Sequence, residues 1–235
     1  STSRLYNNFK NAHFYRNGYN ADVMKRLEAS EAFMLMDPSM NMALPYGIAT
    51  PDRKGFAVSL DLDYAEAIEV NGRFSQYNQD AIDNKYTQFA AGLGVNVGRL
   101  FGLDRDLIIQ GSYDHAEEDA FYERTSDRIM AGASLDIWGP ISLLAGYQSV
   151  VKEYGNPLWI ATESAITKAE EALLLVGPRI KIAPASYISV QYGMLTNAVS
   201  FSRMGVAEDG VTPIAVNDEL SIDKNVIIAD VTVAF

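Results

Sequence analysis

Apolar and polar residues alternate along most of this chain with a period of two. In GFAVSLDLDY, apolar residues occupy every second position from Phe56 to Tyr64, and small or acidic residues lie between them. The alternation recurs in AIEVNGRFS, FAAGLGVNV, LIIQGSYD, DRIMAGASLDIW, ISLLAGYQ, LLLVGPRIKI and YISVQYGM, and once more in NVIIADVTVAF. Because successive side chains of a strand point to opposite faces, the pattern predicts nine strands over residues 55–235.

The connections between these strands alternate in length. Short connections are predicted at 64–67, 102–106, 139–140 and 183–186, and longer polar ones at 79–84, 115–125, 155–169 and 203–224. Short turns at one end and long loops at the other predict an antiparallel up-and-down meander. Bacterial outer-membrane barrels have this form, with short periplasmic turns and long outer loops.

Residues 1–54 alternate poorly. If the last strand descends to the periplasmic end, counting strands backwards requires one ascending strand before Gly55. The only candidate is RLYNNFKNAHFYRNGY. Residues 1–54 are therefore predicted to hold the first strand and a long outer loop, with a short helix over 21–36, or to be the tail of an upstream barrel portion. Residues 55–235 supply the remaining strands and end in an aromatic residue, so the predicted barrel has about ten strands in total.

Two folds fit this meander, because periodicity does not say which face is inside. A soluble β-barrel or sandwich buries its apolar face, whereas a transmembrane β-barrel turns that face to lipid. Aromatic residues favour the membrane form, since they gather near the two strand ends as in interfacial girdles. The short-turn end has Tyr64, Phe101, Trp138 and Phe235, and the long-loop end has Phe56, Phe74, Phe89, Tyr113, Tyr147 and Tyr192.

The polar face mixes small residues with charges of both signs, which suits a narrow lumen with paired charges. The predicted lumen network consists of Asp61, Asp63, Glu69, Arg73, Arg128, Asp136, Arg179 and Lys181.

The last strand resembles the terminal strand of Gram-negative outer-membrane β-barrel proteins, a porin-like class. It ends on an aromatic residue preceded by alternating apolar positions: Ile227, Ala229, Val231, Val233 and Phe235. The resemblance implies that Val231, Val233 and Phe235 form a signal read by the outer-membrane assembly machinery. It also implies location in the bacterial outer membrane, with outer-membrane lipid, lipopolysaccharide and envelope proteins as partners.

Composition removes other classes of function. With 19 basic and 30 acidic side chains, the net charge is −11, which argues against binding nucleic acid. The chain has no cysteine, so disulfides and thiolate metal sites are excluded. No apolar run approaches the roughly 18–20 residues of a membrane helix.

Few residues point to catalysis. The stretch YDHAEEDAFYE places Asp114 beside His115 at a long-loop rim, where such a pair can act as a base. No nucleophile is assigned by spacing, so a solvated acidic loop is the simpler interpretation. No carboxylates have the spacing of a metal loop, and AAGLGVNVG continues a strand with no helix after it, so neither a metal nor a nucleotide cofactor is predicted.

The sequence thus predicts a barrel that is not an enzyme, either a structural, partner-anchoring barrel or a pore for small solutes. The alternatives are an enzyme at the extracellular rim and a soluble ligand-binding β-barrel.

Overall fold

The computed structural model describes residues 53–233, apart from residue 66 and the segments 80–83, 120–122, 161–163, 184–185 and 208–211. These residues form one antiparallel sheet in which every strand pairs with its neighbours in sequence. The elements are β1 (Arg53–Tyr64), β2 (Ile68–Gln79), β3 (Asn84–Asn96), α1 (Val97–Phe101), β4 (Leu107–Asp119), β5 (Arg124–Trp138), β6 (Ile141–Ile160), β7 (Ser164–Ala183), β8 (Ser186–Val206) and β9 (Pro213–Thr232). The nine predicted strands are confirmed. The earlier strand, the helix over 21–36 and Phe235 lie outside the described residues.

The strands run further than predicted at the long-loop end. β6 continues to Ile160 and β7 resumes at Ser164, while the β8–β9 ladder reaches the pair Val206–Pro213. Much of 115–125, 155–169 and 203–224 is therefore strand rather than loop. Apolar and polar residues alternate less clearly there, because the outward face carries polar residues such as Glu153 and Lys168, while the opposite face buries Tyr154, Ile166, Ala169 and Val199.

One face of the sheet carries large apolar side chains that are exposed. Leu93 is 50% exposed, Ile109 49% and Leu135 42%. On the opposite face, polar side chains are buried, and Gln148 and Gln191 are 0% exposed. This arrangement is the reverse of a water-soluble fold and matches a barrel whose apolar face meets lipid. We call the two surfaces the lipid face and the lumen face, and the soluble β-barrel or sandwich is not retained.

The aromatic belt near the long-loop end gives the tilt of the strands. Phe74 on β2 pairs directly with Phe89 on β3. Tyr113 on β4 lies two residues nearer the short-turn end than the position paired with Phe89. Tyr147 on β6 is offset from Tyr113 by two more residues in the same direction, and Tyr192 on β8 is offset from Tyr147 by another two. The belt thus moves about one residue per strand. With about 3.3 Å per residue and about 4.8 Å between strands, a level belt requires a tilt of about 35°. Transmembrane barrels have this tilt.

The second belt, at the short-turn end, has the same slope. Tyr64 on β1 lies in register with Ala133 on β5, and Trp138 lies five residues beyond Ala133 across four strand steps. The fifth residue is explained by a register shift between Asp136 and Trp138, where β5 carries one more residue than β6. On β1 the two belts are separated by the eight residue steps from Phe56 to Tyr64, or about 22 Å along the membrane normal at this tilt. This span is close to the apolar band of outer-membrane barrels.

Over the described residues the sheet is open, with β1 and β9 as its edges. Within the same residues, no helix is long and apolar enough to cross a membrane.

Candidate functional site

The lumen face carries a buried ion pair near the long-loop belt. Arg128 on β5 donates from Nε and Nη2 to Oδ2 of Asp114 on β4, at 3.1 and 3.0 Å, and both side chains are 3% exposed. The two residues are paired in the β4–β5 register, which places them side by side on one face. Arg128 was predicted for the lumen network, whereas Asp114 was assigned to a rim pair with His115.

Halfway between the belts, the lumen face is largely polar. The positions at this depth include Asp61, Asn71, Gln110, Ser134, Leu144, Arg179 and Ser189, which we call the mid-depth ring. Arg179 on β7 reaches past β6 and donates from Nη2 to Ser134 Oγ at 3.4 Å. Its guanidinium also lies 5.7 Å from the ring centroid of Tyr187. One step nearer the periplasm, Ser142 donates to Asp136 at 2.7 Å. The ring therefore combines hydroxyl and amide groups with the cation of Arg179 and the carboxylate of Asp61.

An apolar cluster lies beside this polar surface on the same face. Met130, Leu144, Leu173, Leu175 and Leu195 are at most 1% exposed and pack with Val226 and Ile228. Sequence analysis missed this cluster, because the run LLLV offers apolar residues to both faces and hides which ones point inward.

The lumen face also holds buried polar atoms that have no hydrogen-bond partner among the described residues. They are Asn71 Nδ2, Ser75 Oγ, Gln88 Oε1, Ser112 Oγ, Ser126 Oγ, and both Nε2 and Oε1 of Gln191. Leaving such atoms unpaired in a dry interior costs about 1–3 kcal/mol each. Their concentration on one face indicates a surface suited to water or polar solute.

The remaining predicted lumen residues occupy varied positions. Glu69 is buried at 6% exposure, and Arg73 is half-buried. Asp61 and Asp63 are exposed on the edge strand β1, and Lys181 is exposed near the periplasmic belt. The structure thus places all eight predicted residues on the lumen-face parity of their strands. Arg128 forms its ion pair with Asp114, which lies outside the predicted set, and the network among the eight residues stays a prediction.

A separate polar cluster lies on the lipid face at the long-loop belt. Asp127 Oδ1 accepts a hydrogen bond from Tyr113 Oη at 2.5 Å and lies 2.8 Å from His115 Nδ1. The ring of Tyr113 lies 6.5 Å from that of Phe89, within the aromatic belt. The candidate Asp114–His115 pair considered from the sequence does not form, because adjacent strand residues point to opposite faces, and the favoured solvated loop is strand instead. His115 instead pairs across strands with Asp127.

This arrangement, which we call the rim triad, is suited to acid–base chemistry. Holding Nδ1 of a histidine on a carboxylate leaves Nε2 available to exchange a proton. The side chains of His115 and Asp127 are 33% and 41% exposed. The triad is therefore accessible from the outer membrane interface rather than from the lumen.

Beyond the belt, the lipid-face side of β7 carries a further ion pair. Lys168 Nζ lies 2.7 Å from Glu170 Oε1 and 3.9 Å from Glu153 Oε1. The hydrogen bond to Glu170 raises the pKa of Lys168. Within the described part of the chain, no group of three or more acidic or histidine side chains is placed to hold a metal ion.

Two of the three residues of the implied assembly signal fall within the described chain. Val231 and Val233 are 61% and 51% exposed, in phase with the lipid face of β9.

No protein-family model matches the chain, and no curated protein matches it. Solved structures of OmpT, an outer membrane protein of Vibrio cholerae, are similar at 14% sequence identity, with TM-scores of 0.45 for an in-vitro folded trimer form and 0.46 for the outer-membrane expressed protein. Each match covers 75% of this chain and 56% of the other, so the chain spans a little over half the length of those structures.

The sequence-based prediction that the chain is not an enzyme is wrong. It depended on the lack of a nucleophile placed by spacing and on the interpretation of the His115 stretch as a solvated loop, whereas the structure holds His115 and Tyr113 on the Asp127 carboxylate within a β-ladder.

What the structure establishes is the class of protein. The tilt, the two belts and the inverted faces describe a β-barrel sheet of the bacterial outer membrane, with short periplasmic turns.

Proposed function

We propose that this chain forms the wall of a passage for small polar solutes across the outer membrane. The observation that carries the proposal is the mid-depth ring. At the depth where Leu135 and Ile109 face lipid, the opposite face presents Ser134, Gln110 and Arg179.

The unpartnered polar atoms support the same proposal. They lie on the face that would border the passage, where solutes and water replace missing protein partners. The ion pair of Asp114 and Arg128 fixes charges of both signs at the outer end of this surface. A solute that moves along it would exchange hydrogen bonds with hydroxyl and amide groups, and at mid-depth it would pass the cationic side chain of Arg179 and the acidic side chain of Asp61.

The test is solute flux through vesicles that contain the full chain. Sugar-driven swelling should exceed that of empty vesicles. Ser134→Trp should slow swelling by filling the lumen, whereas Leu135→Trp, one residue away on the lipid face, should leave it unchanged. Swelling equal to that of empty vesicles, or equal loss in both variants, would refute the proposal.

Ion selectivity tests the role of the fixed cation. Arg179→Glu should shift the reversal potential of vesicle or bilayer currents toward cation preference. Arg203→Glu is the matched control, because Arg203 pairs with Asp218 on exposed parts of β8 and β9 beyond the belt. An equal shift for both variants would mean that charge acts from the surface and not from the ring.

A second candidate function follows from the rim triad. We propose that His115 serves there as a general base toward a hydroxyl or water at the outer-leaflet lipid, with Asp127 holding its tautomer. Vesicles containing outer-leaflet glycolipid and the full chain should then accumulate a modified lipid detectable by mass spectrometry. His115→Gln and Asp127→Asn should abolish the product. If the wild-type chain leaves the lipid unchanged, the triad is a structural cross-strand bridge.

A further inference from the structure

The connection between β3 and β4 differs from the other short connections. Gly139–Pro140 joins β5 to β6 with two residues, whereas ten residues, 97–106, separate β3 from β4. Sequence analysis predicted that no helix follows the glycines of this stretch. That prediction is wrong, since α1 begins directly at Val97.

This connection, which we call the β3–β4 knob, has a fixed structure. Asn96, 1% exposed, accepts from the backbone N–H of Arg99 at 3.1 Å and donates to Asp106 at 3.0 Å, so one side chain ties both ends. Gly102 ends α1 with a φ of 66°, a left-handed conformation that favours glycine. The N–H of Leu103 then donates to the carbonyl of Gly98 at 2.8 Å.

The knob nevertheless presents large apolar side chains to the exterior. Leu100 is 44% exposed, Phe101 70% and Leu103 58%. Val97, Leu100 and Phe101 follow the i, i+3, i+4 spacing that places residues on one face of a helix. Val97 itself follows Leu93 and Val95 in the phase of the lipid face. The apolar side of α1 therefore continues the lipid face of β3.

The depth of the knob follows from the slope of the belts. Tyr64 on β1 lies in register with Ile68 on β2 and Val95 on β3. Because the periplasmic belt shifts by about one residue per strand, it crosses β3 two residues beyond Val95, at Val97. Helix α1 thus begins at the level of Tyr64 and Trp138, where amphipathic side chains meet phospholipid headgroups.

We propose that the β3–β4 knob is an interfacial anchor that inserts Leu100, Phe101 and Leu103 into the periplasmic leaflet. The occupant of this surface is phospholipid, because the patch is continuous with the lipid face and lies at belt depth. Arg99 and Arg105 flank the apolar residues in sequence, and Asp104 and Asp106 lie on either side of Arg105, so charged side chains border the apolar patch as expected at a boundary between acyl chains and headgroups.

Depth-dependent fluorescence quenching tests the anchor in the full chain. Trp138 and Trp159 are replaced by Phe, and Phe101→Trp then supplies the single reporter. We expect quenching by phospholipid brominated near the headgroup and weak quenching by aqueous acrylamide. Ile180→Trp, on the lipid face, is the lipid control, and Val206→Trp, beyond the long-loop belt, is the water control.

Exposure of the knob to water would overturn the proposal. If Phe101→Trp is quenched by acrylamide and not by brominated lipid, as expected for Val206→Trp, the knob projects into the periplasm and the proposal is wrong. Leu103→Trp provides a second reporter should Phe101→Trp fail to fold, as judged by heat-dependent migration on gels. Agreement of Leu103→Trp with the water control would overturn the proposal in the same way.

Discussion

The buried pair of Asp114 and Arg128 allows a quantitative prediction. Both of its hydrogen bonds converge on one carboxylate oxygen, and both side chains are 3% exposed. Removing one partner of such a pair typically costs about 3–5 kcal/mol, because the other charge stays buried without compensation. We therefore expect Arg128→Ala to destabilise the folded chain by about 3–5 kcal/mol and the double variant with Asp114→Ala to cost much less than the sum of the two.

The chain supplies a matched control. Arg203 and Asp218 form a pair of the same chemistry at 55% and 37% exposure, and an exposed pair contributes about 0–1 kcal/mol. Urea unfolding in lipid vesicles, followed by tryptophan fluorescence, measures both cycles. If Arg128→Ala costs no more than Arg203→Ala and its effects add to those of Asp114→Ala, the pair is hydrated and the argument from burial fails.

Three further predictions concern the lipid face, the sheet and assembly. Leu135→Arg should destabilise the vesicle-inserted chain by about 2–4 kcal/mol, as for arginine at the bilayer midplane. A cost below about 1 kcal/mol in urea titration would mean that Leu135 does not face the lipid core. Gly177→Ala should cost about 1–3 kcal/mol by the same assay, because an added Cβ would lie 1.9 Å from the Val190 carbonyl oxygen; an unchanged midpoint would contradict this close approach. Deleting Phe235 should raise the ratio of unfolded to folded chain in cells while leaving refolding into vesicles nearly normal, and equal defects in both would make Phe235 a packing residue rather than an assembly signal.

The faces of the strands were predictable because a period of two is a local property. Leu93 and Gly94, or Ser134 and Leu135, are assigned by their neighbours along the chain alone. The belts were predictable because the aromatic residues lie at the ends of the apolar alternation, although β6 and β8 continue well beyond Tyr147 and Tyr192.

The pairings were not predictable, because they depend on register between strands. Asp127 meets Tyr113 and His115 only through the β4–β5 ladder, and no local pattern marks that contact. The nearest carboxylate in sequence, Asp114, points to the other face. Helix α1 was missed since five residues are too few to establish a helical period.

The central claim is that the apolar face meets lipid and the polar face lines a lumen. Because the chain has no cysteine, single cysteines can be placed from position 129 to position 137 of β5 and spin-labelled in vesicles. The account predicts that labels at Ile129, Ala133, Leu135 and Ile137 are relaxed by lipid-soluble oxygen, and that labels at Gly132, Ser134 and Asp136 are relaxed by a water-soluble nickel complex. The opposite phase, or equal access at every position, would contradict it.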